Sequence, residues 1–530
     1  MPYQTIRKLY QGNDGPVYLI REGGKDKVLK RYESEPNKYG VDPTLLMECI
    51  ILNLVKGKHN LLQLDRIETK NYDTDIFIEA LDGELVDLIL SELSVPQIKS
   101  VMKQIMNGLL FLHSNAIIHN DIKPKNILYR DEGRGKYTVK VIDFGLAHLV
   151  NFPYYRARKI QTTHHYTPPE YIDHREVGRV SVNSDIFSLG IIFYYLINPD
   201  GYKQTDHIRD YDYIFDINQV DWRTVKKKVG NTGTDLLQQM LDLDPEKRIT
   251  SLRAMDHPFL KNVKIKGEAR GGRQYGGAYR RWEITSLMSQ NEWKNRTNGE
   301  EFLDIIVESC KKTQIKSKDV TPMQKIPTDI INMMYNRFDY FNLKFITLNY
   351  GIFLLMTYLK HKRIRADQFQ HLAFACLFVS SKLNEYKVPL SVKKFSKNTQ
   401  TLILKFEQEI IIEIFDWALP LPILLTKEVM LYNMFLEVIH DHKHVELRYV
   451  DRIKNFYHIY YLLELVSSLT YFSPELMTKS KEDIIRVILS FWMNNIDHNK
   501  KLKNDIIDLI KSKSTIYWLE KDLLSFLNIK

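Results

Sequence analysis

Apolar positions along residues 1–262 change period again and again. Val139-Lys140-Val141-Ile142 reads as a strand running into a loop, whereas Ser100 to Ala116, SVMKQIMNGLLFLHSNA, sets Ile, Leu and Phe on one helical face. Strands and helices therefore mix in this half. Beyond residue 282 the strand-like alternation nearly vanishes. The chain becomes amphipathic helices with short polar joints, among them FITLNYGIFLLMTYLKHKRI (345–364) and LILKFEQEIIIEIFDWAL (402–419). That second half, on the order of 250 residues, is long enough for two helical bundles. Between the halves lies KIKGEARGGRQYGGAYRR (264–281), with glycines at 267, 271, 272, 276 and 277 among basic residues. It reads as a flexible linker, the alternative being an ordered strap laid on an acidic groove.

Composition narrows the class. At 530 residues the chain exceeds what one core supports, so three or more units are expected. A hydrophobic content of 44% argues for globular domains over disorder. Cys49, Cys310 and Cys376 are the only cysteines and stand in no metal or redox spacing, which points to a reducing compartment. The start, MPYQTIRKLYQGNDG, lacks an apolar signal region, and no run is long and apolar enough to span a membrane. The expectation is a soluble intracellular protein, cytoplasmic or nuclear, with no membrane partner. A net charge of +10 raises the question of nucleic acid, but the lysines are scattered along helices, so no direct nucleic-acid ligand is expected.

Chemistry enters with Asn120-Asp121-Ile122-Lys123-Pro124-Lys125-Asn126 and, further on, Asp143-Phe144-Gly145. Phosphoryl transfer calls for such groups, because hard Mg2+ takes oxygen ligands and charge developing on the phosphoryl group needs fixed cations. Their order and spacing resemble those of a protein kinase. The resemblance implies an α+β bilobal kinase fold, ATP and Mg2+ as cofactors, and Ser or Thr hydroxyls of protein substrates as acceptors. It makes Asp121 the residue that orients the hydroxyl and accepts its proton, sets Lys123 near the γ-phosphate, and gives Asn126 and Asp143 to the metal. Lys30 would pair the α- and β-phosphates, Glu48 would hold Lys30, and Thr163 would bond near Asp121 and Lys123. Nucleotide contacts fall on Gly12, Gly15, Val17, Lys30, Glu79 and Leu81, within a Gly-rich loop whose first glycine is replaced by Tyr10. Glu170 of Pro168-Pro169-Glu170 would pair with Arg248, and Asp185 would brace the catalytic loop.

Over residues 3–262 the likeness is greatest to cyclin-dependent kinases, and the departures form a pattern. The first helix, Asp42 to Glu48, looks like a degenerate form of the segment by which those kinases grip a cyclin, with proline-threonine retained in shifted form. The family clasps an activating phosphothreonine with three arginines; the corresponding positions hold Met47, Asn120 and His148, and Arg158 stands at the phosphothreonine itself. Removing the basic pocket also removes the repulsion that a phosphate would neutralise. Asn13 and Asp14 replace the residues of inhibitory phosphorylation, so both covalent switches are expected to be absent. Gln161, Thr162 and Thr167 replace residues that shape proline preference, which makes proline direction a weak expectation.

The helical half carries a second resemblance. Thr347 to Leu355 and His371 to Lys382 are similar to two successive core helices of a cyclin box, covering about residues 320–422. Lys382 sits at the box's characteristic lysine; spacing back from Trp417 lands on Gln408, with Glu407 and Glu409 on either side, so its glutamate partner stays open. Met356 and Thr357 stand where an aspartate and arginine usually close the first helix. A fainter likeness to a second cyclin fold starts at Tyr461 and runs through Phe491.

The expected order is a kinase domain (1–262), a Gly-rich basic linker (263–281), a helical extension (282–319), a cyclin box (320–422) and a second cyclin-like fold (423–530). The all-α cyclin-like domain would act as an intramolecular partner, no separate cyclin being required, since a tether keeps it at about millimolar effective concentration. The alternatives are a catalytically weak kinase-like scaffold and a cyclin-fold nucleic-acid or transcription-associated factor. An Ile, Lys, Asn and Tyr bias fits an A/T-rich genome, viral or protist.

Overall fold

The structure is a computed structural model. It describes residues 3–12, 15–33, 40–70, 73–115, 117–149, 155–157, 164–171, 178–180, 182–205, 215–245, 247–267, 330, 333–334, 337, 341, 343, 345–384 and 390–419. All of them belong to the compact unit formed by Met1–Gly271 and Gln324–Ile423. The expected helical extension at 282–319 and the second cyclin-like fold at 423–530 lie outside the described residues, as do Asn13, Asp14, Arg158, Gln161, Thr162 and Thr163.

Strands β1 (Gln4–Gln11), β2 (Pro16–Glu22), β3 (Lys25–Tyr32), β4 (Leu64–Lys70) and β5 (Asp73–Glu79) form one antiparallel sheet in the order β1-β2-β3-β5-β4. Ile20, Leu29 and Phe77 close its core. Helix α1 (Pro43–Leu54) follows β3; Asp42 caps it, accepting from the amides of Thr44 and Leu45, and Pro43 opens its first turn. Leu45 through Leu52 are all buried, Glu48 included. A helix buried on every side needs neighbours on every side. Here they include β4 behind it and a helix of the cyclin-like region in front.

The larger lobe is mainly helical. Helix α2 (Leu85–Leu90) precedes α3 (Val95–Ser114), which carries the apolar face read from the sequence and starts in a Ser94–Gln97 capping box. Strands β6 (Gly83–Glu84), β8 (Ile127–Asp131) and β9 (Tyr137–Val141) make a small sheet beside it, and β7 (Ile117–Ile118) pairs with β10 (His148–Leu149). Helix α4 (Asn183–Ile197) is buried along its whole length, between α3 and α6 (Trp222–Met240). Short helices α5 (Pro199–Thr205) and α7 (Ser251–Asp256) complete the lobe. Of the stretch read as a linker, residues up to Gly267 are described. They run along this lobe, Lys103 donating to the Val263 carbonyl at 2.7 Å and Asn107 to that of Gly267 at 3.4 Å.

The cyclin-like region is helical throughout its described core: α8 (Phe345–His361), α9 (Phe369–Asn384) and α10 (Lys397–Gln408), the last running into one π-helical turn, Glu409–Ile414. Helix α9 is almost entirely buried because it meets α8, α10, α1 and β10 together. Ser380 ties α9 to α8 through the Thr347 carbonyl at 2.6 Å. The architecture is thus the expected one, an α+β two-lobed kinase fold followed by a helical cyclin fold. No helix among the described residues is long and apolar enough to cross a membrane.

Candidate phosphoryl-transfer site

Strand β3 and helix α1 deliver the first pair. Lys30 stands on β3 opposite Val17 and Ile76, and its Nζ lies 2.8 Å from Glu48 Oε2 and 3.9 Å from Asp143 Oδ1. Tyr32, two residues along the strand, donates its hydroxyl to the same oxygen of Glu48. Burial works against the Lys30 charge, but Glu48 and Asp143 outweigh it and hold the pKa above the ordinary lysine value. Burial also pushes the Glu48 carboxyl upward, opposed by Lys30. Removing either partner would strand the other inside the protein.

The catalytic loop is assembled around Asp121. Lys123 Nζ lies 2.7 Å from Asp121 Oδ2, and the Asn126 side-chain amide donates to the Asp121 carbonyl at 2.9 Å and to Oδ2 at 2.7 Å. With its nitrogen so engaged, Asn126 keeps its amide oxygen as the group for a cation. Asp143 adds a carboxylate that is 44% exposed and open to ligands. Hard oxygen donors on two loops fit Mg2+.

Behind this loop, Asp185 at the start of α4 accepts from the amides of His119 and Asn120, both at 2.8 Å, and contacts His113 Nε2 at 3.0 Å. Asn120 and Asp143 hold φ of 69° and 65°, a region costly for residues with a side chain, so the surrounding bonds must retain them. Phe144 is fully buried and meets His119 edge-on at 5.6 Å.

Arg248, fully buried, forks onto both oxygens of Glu170 at 2.8 and 2.9 Å and also bonds the Asp242 and Asn183 carbonyls. Next to Glu170, Tyr171 donates to Asn120 Oδ1 at 3.1 Å and bonds Ser184; burial raises its hydroxyl well above the usual phenol value. Sequence reasoning missed Tyr171 and Tyr32, since no motif carries either. Of the three positions that replace the arginine clasp, Met47 is buried in the apolar row of α1, Asn120 is engaged by Asp185 and Tyr171, and His148 lies on β10 opposite Ile118.

The expected nucleotide contacts fall on the β1–β2 hairpin and at the end of β5. Gly12 and Gly15 bond each other's main chain at the tip of the β1–β2 hairpin, at 2.9 and 3.4 Å, and Val17 is buried beneath it. Glu79 ends β5 with its carboxylate turned to Lys140, Arg130 and the Gln63 amide, and its own amide donates to the Gln63 carbonyl at 3.1 Å. Leu81 follows in the connection to the large lobe and is half-buried.

A second polar cluster joins the two halves. Lys382 on α9 is buried, pairs with Glu407 on α10, and donates to the Val41 carbonyl just before α1 at 2.6 Å. Burial lowers the Lys382 pKa and raises that of Glu407, each opposed by the other's charge. Gly40 packs directly on the Glu407 carboxylate, with φ of 68°. A side chain there would collide with Glu407 and strain the backbone. Of the three candidates left open by spacing, Glu407 is therefore the partner; Glu409 faces α8 and takes the Tyr358 hydroxyl and Lys362.

Comparison with known proteins agrees with this geometry. Residues 3–260 match the protein kinase domain family, and residues 288–419 match the cyclin, N-terminal domain family. The chain is similar to calcium-dependent protein kinase 4 of Plasmodium falciparum (isolate 3D7), 28% identical over 277 residues, which cover 50% of this chain and 50% of that protein. The chain thus spans about half the length of that curated relative. With the Lys30–Glu48 pair and the Asp121 loop assembled in one half and the Lys382–Glu407 pair in the other, the chain carries a protein kinase domain followed by an N-terminal cyclin domain.

Proposed function

We propose that this protein is an ATP- and Mg2+-dependent serine/threonine protein kinase of the cyclin-dependent type, held active by its own cyclin domain and independent of activation-segment phosphorylation. Bound ATP·Mg2+ supplies the γ-phosphoryl group and the cation that neutralises it. Asp121 orients the substrate hydroxyl and takes its proton as the oxygen–phosphorus bond forms and the bond to the β-phosphate oxygen breaks. Lys123, already beside Asp121, places positive charge where the transferred group gains negative charge. Asn126 and Asp143 hold the metal. Lys30, kept charged by Glu48, fixes the α- and β-phosphates, while Gly12, Gly15 and Val17 with Glu79 and Leu81 seat the nucleotide. Thr163 is assigned the hydroxyl-acceptor side of Asp121 by the same resemblance.

The observation that carries this reading is the Lys30–Glu48 pair, formed at 2.8 Å on a helix whose N-terminal end is gripped by Lys382. Substituting Met47, Asn120 and His148 for arginines supports independence from phosphate, since a basic pocket with no phosphate would repel itself. Phosphate-free, full-length protein should transfer radiolabel from ATP to Ser- or Thr-containing acceptor proteins. Asp121→Ala should lower turnover by about 10²–10⁴-fold while the protein stays folded. Unchanged transfer by Asp121→Ala rejects the site, and activity appearing only after an upstream kinase or a separate cyclin is added rejects the autonomy.

A further inference from the structure

Tyr10 is an aromatic residue that no packing requirement explains. It is 58% exposed, on a strand whose residues are exposed from end to end. Its register is nonetheless specific: Tyr10 stands opposite Val17 on β2, and Val17 opposite Lys30 on β3. Directly opposed residues of antiparallel strands project from one face of a sheet. Tyr10, Val17 and Lys30 therefore share the face that looks onto Asp143, 3.9 Å from Lys30.

A glycine at this position, as in the loop that the sequence resembles, leaves this face bare beside Val17 and Lys30; tyrosine sets a flat apolar plate there. The plate is carried on one hairpin only, closed at its tip by the Gly12–Gly15 bonds, so it lifts when the hairpin lifts.

Building on the ATP-site reading above, we infer that Tyr10 contacts the bound nucleotide: its ring roofs the sugar–phosphate portion of a nucleoside di- or triphosphate and slows exchange. The ring, more than the hydroxyl, supplies the effect, because it is the area laid across the cleft mouth that must move before product leaves. Where product release limits turnover, removing such a lid speeds the whole cycle.

The test is stopped-flow displacement of N-methylanthraniloyl-ADP, with Mg2+, from full-length wild-type protein, Tyr10→Ala and Tyr10→Phe. The exposed position predicts unchanged melting temperatures for all three. Tyr10→Ala should release the probe about tenfold faster, and Tyr10→Phe within about twofold of wild type, since loss of a contact is read mainly in the dissociation rate. Release from Tyr10→Ala within about twofold of wild type overturns the inference and leaves the ATP site standing. A Tyr10→Phe protein as fast as Tyr10→Ala overturns the ring roof. Failure of folded wild-type protein to bind the probe overturns the ATP-site reading first and the inference with it.

Discussion

Lys382 donates to the carbonyl oxygen of Val41 at 2.6 Å, a bond that reaches across 341 positions of sequence and ties the cyclin domain to the entry of α1. Helix α1 carries Glu48 one and a half turns further on, and Glu48 holds Lys30. One buried ammonium in the cyclin half is therefore two short steps from the phosphate-binding lysine of the kinase half.

Breaking that tie from one side should cost more than removing both partners. Lys382→Met leaves Glu407 buried without its counter-charge, an arrangement that costs about 3–5 kcal/mol. Thermal unfolding and kinase turnover of the full-length chain should both fall in Lys382→Met, with much of the melting temperature regained in Lys382→Met/Glu407→Leu. A double variant as unstable as the sum of its single variants would show that the two residues act apart.

Gly40→Ala attacks the same joint through the backbone. The added methyl meets the Glu407 carboxylate at a residue with φ of 68°. Turnover should drop as in Lys382→Met, and combining the two should add little, since sites that share a partner are not additive. Full additivity of the two losses would place Gly40 outside the clamp.

Tyr171→Phe removes one hydroxyl and leaves the ring. Asn120 then loses a bond of 3.1 Å that helps to keep it at φ of 69°, an uncompensated loss of about 1–2 kcal/mol. The catalytic loop should loosen, so steady-state kinetics should show turnover down several-fold with the KM for ATP little changed. Unaltered turnover would mean that the Tyr171 hydroxyl does not help to position the loop.

Acid should weaken the small lobe through Glu22 and Asp65. Hydrogen bonds from Lys27, then Arg66, hold both carboxyls below their ordinary values. Folded pKa values below the unfolded ones mean that this stabilisation is present above the unfolded values and disappears as pH falls through the folded ones. Glu22→Gln/Asp65→Asn should therefore lose less melting temperature than wild type below about pH 4.5. High salt should shrink the difference, because these pairs are near the surface. Parallel pH curves for the two proteins would assign the acid sensitivity elsewhere.

Much of the site was legible because its chemistry is local. Asp121, Lys123 and Asn126 meet within one tight loop, so their contact follows from six consecutive residues. Lys30 and Glu48 were legible as a strand residue and a helix residue at suitable spacing, and the structure pairs them at 2.8 Å. Tyr32 and Tyr171 were not, because a tyrosine's hydroxyl finds its partner through the packing of whole elements and leaves no periodic or motif signal. Thr163 and Arg158 fall outside the described residues, and their roles remain as proposed from resemblance.

By itself the sequence determined the order of the two halves, the period change from mixed strands and helices to helices alone, and the loops where phosphoryl transfer is placed. Each of these depends on residues within a turn or two of one another. Tertiary structure decided the joint. Successive helical residues point about 100° apart, so Glu407, Gln408 and Glu409 face different neighbours, and spacing could not choose among them. Only the placement of α10 against α9 and α8 gives Glu407 to Lys382 and Glu409 to Tyr358 and Lys362. The choice is enforced by burial: inside the joint, a lysine ammonium and a carboxylate each require a partner, and Glu407 meets Lys382 there against the close approach of Gly40.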